Sequence, residues 1–387
     1  MRRRNFILLG GGLAILIGVV LALVVAGWPS TDSVGYDPNL RFLLRSDPII
    51  AKLPPTPPND LHGSGKLDES IADLPNTGGK LLEPAKLPKA DRDKLAAVLD
   101  DLFGTPAAPK LSGDPLGLTP AKLAVGSRVY KEKCAQCHGS TGDGRGPTGL
   151  YVYPHPRDFR LAKFKYISST VGLTTRDDVV AMVKVGIAGN SMPSFALLPP
   201  DQLDAVVDYT LFLALRGKVE SDLLSAVLGE DGLTGPPELF AELSLTHWAK
   251  RFADAEAKVV RPPVPPLDVK DGGTDAAYDG QVRRGFAAFQ TAGCASCHRD
   301  YGRETHYLYD DWGVAVRPAN LSAGTYRAGG DPLDLFRRIR CGIPPSGMPG
   351  VGEGTLSDAQ VWDLVLFLKA LPVPRHLPDD VRAKIYK

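Results

Sequence analysis

The sequence has almost no excess charge: 45 basic residues stand against 44 acidic ones, which gives a net charge of +1. A nucleic-acid partner would want a basic patch, so we expect none. Convincing alternating strand patterns are also lacking in the two motif-bearing segments described below, which favours an all-α fold. With 387 residues and 43% apolar composition, the chain has room for about two or three domains with sizeable cores.

Cysteine and methionine are scarce, at five and four residues. Four of the cysteines form two Cys-x-x-Cys-His units, and Cys341 is left over. A disulfide framework would not need a histidine after each pair, whereas this spacing is typical of c-type haem attachment. The units are Cys134, Cys137 and His138, then Cys294, Cys297 and His298.

The spacing of this motif suits covalent haem attachment. Two thiols add across the haem vinyl groups, and one turn of chain aims the adjacent histidine at the iron. We therefore predict two haem c groups, with His138 and His298 as iron ligands. A zinc site would need further cysteine or histidine ligands at matching spacing. A redox Cys-x-x-Cys would need a βαβ context, and the sequence offers neither.

Two methionines are candidates for the sixth iron ligand. Met192 and Met348 each precede proline, 54 and 50 residues beyond the motif histidines. A thioether is a soft, neutral ligand that raises the reduction potential, and a His–Met pair leaves no open coordination position. The alternative is that both are loop methionines filling gaps in a core. Their duplicated position favours ligation.

The two motifs lie 160 residues apart within an internal repeat. Residues 156–159 (PRDF) match residues 318–321 (PANL), and the segment ending in Met192-Pro193 matches the one ending in Met348-Pro349. Each motif is preceded by an expected helix in which a glycine permits a close helix crossing. These glycines are Gly126 and Gly285, and the two copies occupy residues 116–217 and 276–373.

Each copy resembles the class I cytochrome c domain, through Gly126, Tyr130, residues 134–139 (CAQCHG), residues 189–193 (GNSMP) and a closing aromatic helix. The resemblance implies a compact helical fold around each haem, with the first and last helices crossing. It also implies a prolyl carbonyl that accepts the free N–H of the proximal histidine. Pro147 matches that role in the first copy, and the second copy has no proline at the corresponding distance.

An apolar run of 23 uncharged residues, 6–28, follows three arginines at the N-terminus. A helix of that length spans roughly 34 Å, enough to cross a bilayer. We predict an uncleaved single-pass anchor over residues 1–28, with the haem domains on the periplasmic (outer) side. A cleaved signal peptide is the alternative, although residues 24–28 fit a cleavage site poorly.

The remaining segments carry less information. We interpret residues 29–115 as a Pro/Gly-rich tether with a short helix near Lys89–Phe103. Residues 218–275 are interpreted as an interdomain linker, and residues 374–387 as a C-terminal tail. Lys165 and Arg327 are candidates to bond haem propionates, with plain solvent exposure as the alternative. Cys341 is expected to be an inert buried thiol.

The whole pattern resembles membrane-bound dihaem cytochromes of respiratory chains. It implies an electron carrier rather than an enzyme, either free-standing or a subunit of an oxidoreductase complex. Its expected redox partners are a quinol-oxidising complex and a terminal oxidase or dehydrogenase, with membrane lipid around the N-terminal helix. The alternative function is enzymatic, as a dihaem peroxidase or a sulfur-oxidising haem dehydrogenase.

Overall fold

The computed structural model describes residues 35–50, 81–111, 113, 116–229 and 232–386. In these ranges the chain is mostly helical, as predicted, and its strands are two-residue pairs. The described residues include no helix long and apolar enough to cross a membrane. The anchor predicted over residues 1–28 lies outside the described residues.

Two short antiparallel strand pairs and a series of helices make up the described chain. Strand β1 (Ile49–Ile50) pairs antiparallel with β2 (Leu81–Leu82), and β3 (Leu308–Tyr309) pairs antiparallel with β4 (Ala315–Val316). The helices are α1 (Lys89–Phe103), α2 (Pro120–Lys133), α3 (Ala135–His138), α4 (Arg176–Val185), α5 (Pro200–Leu228), α6 (Pro237–Ala257), α7 (Ala276–Thr291), α8 (Cys294–Cys297), α9 (Pro332–Cys341), α10 (Asp358–Ala370) and α11 (Asp379–Ile385).

A helix crossing at glycine organises each domain. An added Cβ on Gly126 in α2 would lie 2.1 Å from the carbonyl oxygen of Ala205 in α5. An added Cβ on Gly285 in α7 would lie 2.1 Å from the carbonyl oxygen of Asp363 in α10. Only a residue without a side chain allows the two backbones to approach this closely. The predicted role of both glycines is therefore confirmed.

Aromatic rings pack beside each crossing. In the first domain the Tyr130 and Tyr209 ring centroids are 5.2 Å apart, and both side chains are fully buried. In the second, Phe289 and Phe367 lie 5.9 Å apart and are also buried. Large buried aromatic side chains contribute much of the free energy of a small core. The two domains thus share one core design with different aromatic residues.

The predicted helix near the N-terminus is confirmed over Lys89–Phe103, but the tether interpretation is wrong for the described part of this segment. Leu99 and Phe103 of α1 are fully buried, and the Phe103 ring lies 5.9 Å from that of Phe212 in α5. Phe42 packs on the same ring, at 6.2 Å. Burial of these apolar faces makes residues 35–50 and 81–111 part of the first domain.

The interdomain linker and the C-terminal tail also differ from the prediction. Helix α5 continues to Leu228, and α6 packs on it through Leu245 and Phe252, so residues 218–229 and 232–257 extend the first domain. Helix α11 buries Val381 and Ile385 in the core of the second domain. Only about residues 258–275 form an extended connection. Amphipathic faces in both segments account for their packing.

The glycine crossing gives a direct test of the fold. Replacing Gly285 with Ala should lower the free energy of unfolding by about 1–3 kcal/mol, because α7 and α10 must separate. Gly280→Ala in the same helix is the matched control, since the nearest atom to its added Cβ is a flexible arginine nitrogen at 3.6 Å. That control should be neutral or stabilising, as alanine is the better helix former. Equal effects in denaturant unfolding would contradict the crossing.

Candidate functional site

Each Cys-x-x-Cys-His unit forms a single helical turn at the end of a long helix. Cys134 ends α2 and begins α3, and the amide of His138 donates to the Cys134 carbonyl at 2.9 Å. In the second unit, the amide of His298 donates to the Cys294 carbonyl, also at 2.9 Å. Two thiols and one imidazole therefore project from one turn, at the place fixed by the helix crossing.

A backbone carbonyl holds each motif histidine. The Nδ1 atom of His138 lies 3.1 Å from the carbonyl oxygen of Arg157, and that of His298 lies 3.1 Å from the carbonyl oxygen of Ala319. A carbonyl can only accept, so Nδ1 carries the proton and Nε2 is left with a free lone pair. Both rings are thereby prepared to bind a metal through Nε2.

The expectation that Pro147 supplies this carbonyl is wrong. The carbonyl belongs to Arg157, which follows Pro156, and its counterpart Ala319 follows Pro318. The two carbonyls come from matching positions of the internal repeat, in which residues 156–159 align with residues 318–321. The absence of a Pro147 equivalent in the second copy therefore leaves the orientation of its histidine unaffected.

Burial adjusts the charge of both imidazoles. It lowers the pKa of His138 and of His298, because the charged form loses hydration. The shift favours the neutral imidazole, which is the form that coordinates a metal. The Phe159 ring stacks on His138 with centroids 4.6 Å apart, whereas the matching position in the second domain is Leu321. The first imidazole is thus more tightly confined.

The methionine loops share a backbone hydrogen bond and an initial glycine conformation in both domains. The amide of Ile187 donates to the Met192 carbonyl at 3.2 Å, and that of Ile343 donates to the Met348 carbonyl at 2.9 Å. Each loop begins with a glycine at the end of the preceding helix, Gly186 (φ 75°, ψ −169°) or Gly342 (φ 70°, ψ −170°). This backbone region is essentially restricted to glycine. Met192 and Met348 are both partly buried.

The motif cysteines lack the surroundings of a zinc site. Among the described residues, no three His, Cys, Asp or Glu side chains are grouped to hold a metal ion. Burial raises the pKa of the Cys134 thiol to about 12 and also raises that of Cys294. A four-ligand zinc site would need further cysteine or histidine side chains beside each pair.

The donor set fits haem c. Two thiols on one helical turn, an adjacent imidazole with a free Nε2 atom, and a partly buried thioether are the groups that this cofactor engages. Cys134 and Met192 both pack against the apolar core of the first domain. Cys294 borders the core of the second domain.

Two lesser candidates lie at the contact between the domains. Lys165 has a side chain only 15% exposed, 3.0 Å from the carboxylate of Asp310, so it is not a plain solvent-exposed lysine. Cys341 is buried against the core of the first domain, and burial raises its pKa to about 12. An inert thiol is what this environment supports. The matching Val185 is 68% exposed, because nothing in the described chain covers it.

A family comparison assigns the class of both domains. The family model described as cytochrome c oxidase, cbb3-type, subunit III, matches residues 121–209 and again residues 280–368. The double match is consistent with two tandem class I cytochrome c domains, as the motifs predicted. Domains of this family hold covalent haem c and transfer electrons, and the presence of two of them fits two haems.

Other comparisons add little. A search of curated proteins gives no match. Among solved structures, a chain of the reducing HAO-like protein complex of Kuenenia stuttgartiensis is 23% identical, with a TM-score of 0.43. The match covers 64% of this chain and 95% of that one.

The glycine before the first methionine loop can be tested against a neighbour. An added Cβ on Gly186 would lie 2.6 Å from the backbone of Pro193, whereas one on Gly189 (φ 77°) would meet nothing within 4 Å. Gly189→Ala should cost only backbone strain, about 1–2 kcal/mol. Gly186→Ala should cost about 1–3 kcal/mol more and displace Met192. Denaturant unfolding and the methyl resonance of Met192 would measure this, and equal effects would contradict it.

Proposed function

We propose that this protein is a membrane-anchored dihaem cytochrome that passes single electrons between respiratory-chain partners through two His/Met-ligated haems. The supporting observation is the duplicated arrangement of a carbonyl-held histidine and a glycine-initiated methionine loop. Both the carbonyl-held histidine and the methionine loop occur in each domain, at matching positions of the repeat. A loop methionine that merely filled a core gap would not need this repeated backbone structure.

In this proposal the covalent anchors are Cys134, Cys137, Cys294 and Cys297, and the iron ligands are His138, Met192, His298 and Met348. When bound, haem c supplies a one-electron ferric/ferrous couple. The chain's own residues hold and tune it. The Arg157 and Ala319 carbonyls keep each Nδ1 atom protonated, which directs Nε2 to the iron and strengthens imidazole donation.

Outer-sphere electron transfer suits this arrangement better than catalysis. A peroxidase would need an open or displaceable coordination position with an acid–base group above it. A thiolate-dependent sulfur enzyme would need a reactive cysteine, and Cys341 is buried with a raised pKa. Neither alternative gains support from the described residues.

The apolar run at residues 6–28 supports attachment to the cytoplasmic membrane, with both haem domains on the periplasmic side. The family description names a terminal oxidase subunit, which supports an oxidase or a quinol-oxidising complex as the redox partner. The chain would serve there as a shuttle or as a docked subunit.

Replacing each proposed thioether ligand should change one haem alone. Met192→Leu should convert the first haem to a high-spin form and lower its midpoint potential by more than about 59 mV, a tenfold change in the ferric-to-ferrous ratio. Met348→Leu should do the same to the second haem. Met182→Leu is the control, because Met182 lies within α4 and packs on the core.

Optical and magnetic spectra with a redox titration would read out these variants. Two unchanged low-spin haems in the Met192 and Met348 variants would rule out methionine ligation. A spectral change with Met182→Leu of equal size would show that the effect is general to core methionines.

Attachment and partners have a separate test. The full chain should fractionate with membranes and co-purify with a quinol-oxidising or terminal oxidase complex after detergent extraction. Deletion of residues 6–28, with a cleavable export signal in their place, should release a soluble dihaem protein. Recovery of the full chain in the soluble periplasmic fraction would contradict the anchor.

A further inference from the structure

One hairpin of the second domain packs on the first domain. The interdomain hairpin, residues 308–316, comprises β3, β4 and the turn between them. It contacts the segment of the first domain that supplies the histidine-holding carbonyl. Its carboxylate Asp310 lies 3.5 Å from the guanidinium of Arg157, and the ring centroid of Trp312 lies 3.8 Å from that guanidinium.

A second contact acts on the next peptide unit. The indole Nε1–H of Trp312 donates to the carbonyl oxygen of Asp158 at 3.2 Å. The hairpin therefore holds the Arg157 side chain on one side and the Asp158 carbonyl on the other. The Arg157 carbonyl, which receives the His138 Nδ1–H, lies between these two points. A displacement of the hairpin would therefore shift the Arg157 carbonyl as well.

The hairpin is itself rigid at this point. Asp310 is only 2% exposed, and its carboxylate accepts from the backbone amides of Trp312 and Val314 at 3.1 and 3.0 Å. It also faces Lys165 at 3.0 Å. A buried carboxylate with two backbone donors and two cationic neighbours is well satisfied. The two backbone amides thus orient the Asp310 carboxylate within the hairpin itself.

The second domain provides an internal comparison. Its equivalent of Arg157 is Ala319, whose side chain cannot make a corresponding contact. The carbonyl there lies close to Gly302 of its own domain. Among the described residues, the first histidine is therefore linked to the neighbouring domain through Arg157, and alanine at the matching position offers no such link to the second.

We propose that Arg157 is a positioning residue through which docking of the second domain sets the proximal ligation of the first haem. This inference rests on the proposed function, since it assumes that His138 binds the iron. A tight Nδ1–H···O=C bond strengthens donation by the imidazole and stabilises ferric iron. Loosening the hairpin would weaken that bond and shift the first haem toward the ferrous form, without an equal effect on the second.

Trp312→Phe is the main test, because it removes the indole donor without changing charge. Compared with the wild type, the His138 Nδ1 proton should exchange with solvent severalfold faster. At fixed ambient potential, the ferric-to-ferrous ratio of the first haem should fall by up to about tenfold, or about 59 mV. Haem-resolved redox titration and proton NMR of the holoprotein would measure both.

Asp310→Asn is the second variant, and Asp311→Asn is the matched control. Asp311 lies in the same hairpin and forms a 2.6 Å interdomain ion pair with Lys163, away from the Arg157 carbonyl. Asp310→Asn should reproduce the Trp312→Phe effect on His138, whereas Asp311→Asn should leave the exchange rate of its Nδ1 proton unchanged. If Asp310→Asn does not fold, Trp312→Phe alone decides the outcome.

Two results would overturn this proposal. One is a Trp312→Phe protein whose His138 proton and first-haem potential match those of the Asp311→Asn control. The other is an equal shift of both haems, which would indicate a general loss of packing. Failure of the proposed function would look different, because the wild-type spectra would then lack His/Met-ligated haem altogether.

Discussion

The close crossing of the first and last helices is the constraint on which each domain depends. With no Cβ at Gly126 or Gly285, the two backbones meet directly, and the turn carrying the cysteines begins where the first of these helices ends. The crossing therefore determines where the thiols and the imidazole stand. The carbonyl that holds the histidine and the methionine loop are arranged around that fixed point. A bulkier residue at the crossing would move all of them together.

The two domains share this scaffold and differ in its surroundings. Arg157 and Phe159 of the first domain correspond to Ala319 and Leu321 of the second, so the first histidine has a ring stacked on it and a link to its neighbour. Cys341 is buried by the first domain, whereas its counterpart Val185 is exposed. The two histidine sites therefore share one backbone arrangement. They differ in the side chains around the histidine and in their contacts with the other domain.

Much of this could be predicted because the signals are local. The haem motif, the two crossing glycines and the helix at Lys89–Phe103 each depend on spacing within a short stretch of sequence.

What could not be predicted depends on contacts between distant segments. Helices α1 and α6 both pack on α5 through apolar faces. The residues that α1 contacts in α5 lie about a hundred residues further along the chain. Those that α6 contacts lie in a separate helix. The family resemblance points to a prolyl carbonyl and therefore to Pro147 as the partner of His138. The aligned segments 156–159 and 318–321 contain the better signal, since the carbonyl residue follows the proline in both. No pattern in the sequence of the interdomain hairpin indicates which segment of the first domain it contacts.

The central claim is that both domains hold a haem c with histidine and methionine as axial ligands. Haem quantification combined with electron paramagnetic resonance and near-infrared magnetic circular dichroism of the oxidised, purified protein tests it most directly. We predict two covalent haems per chain, both low-spin and six-coordinate, with the signature of His/Met ligation. One haem per chain, bound zinc, or a high-spin haem at either site would contradict the account.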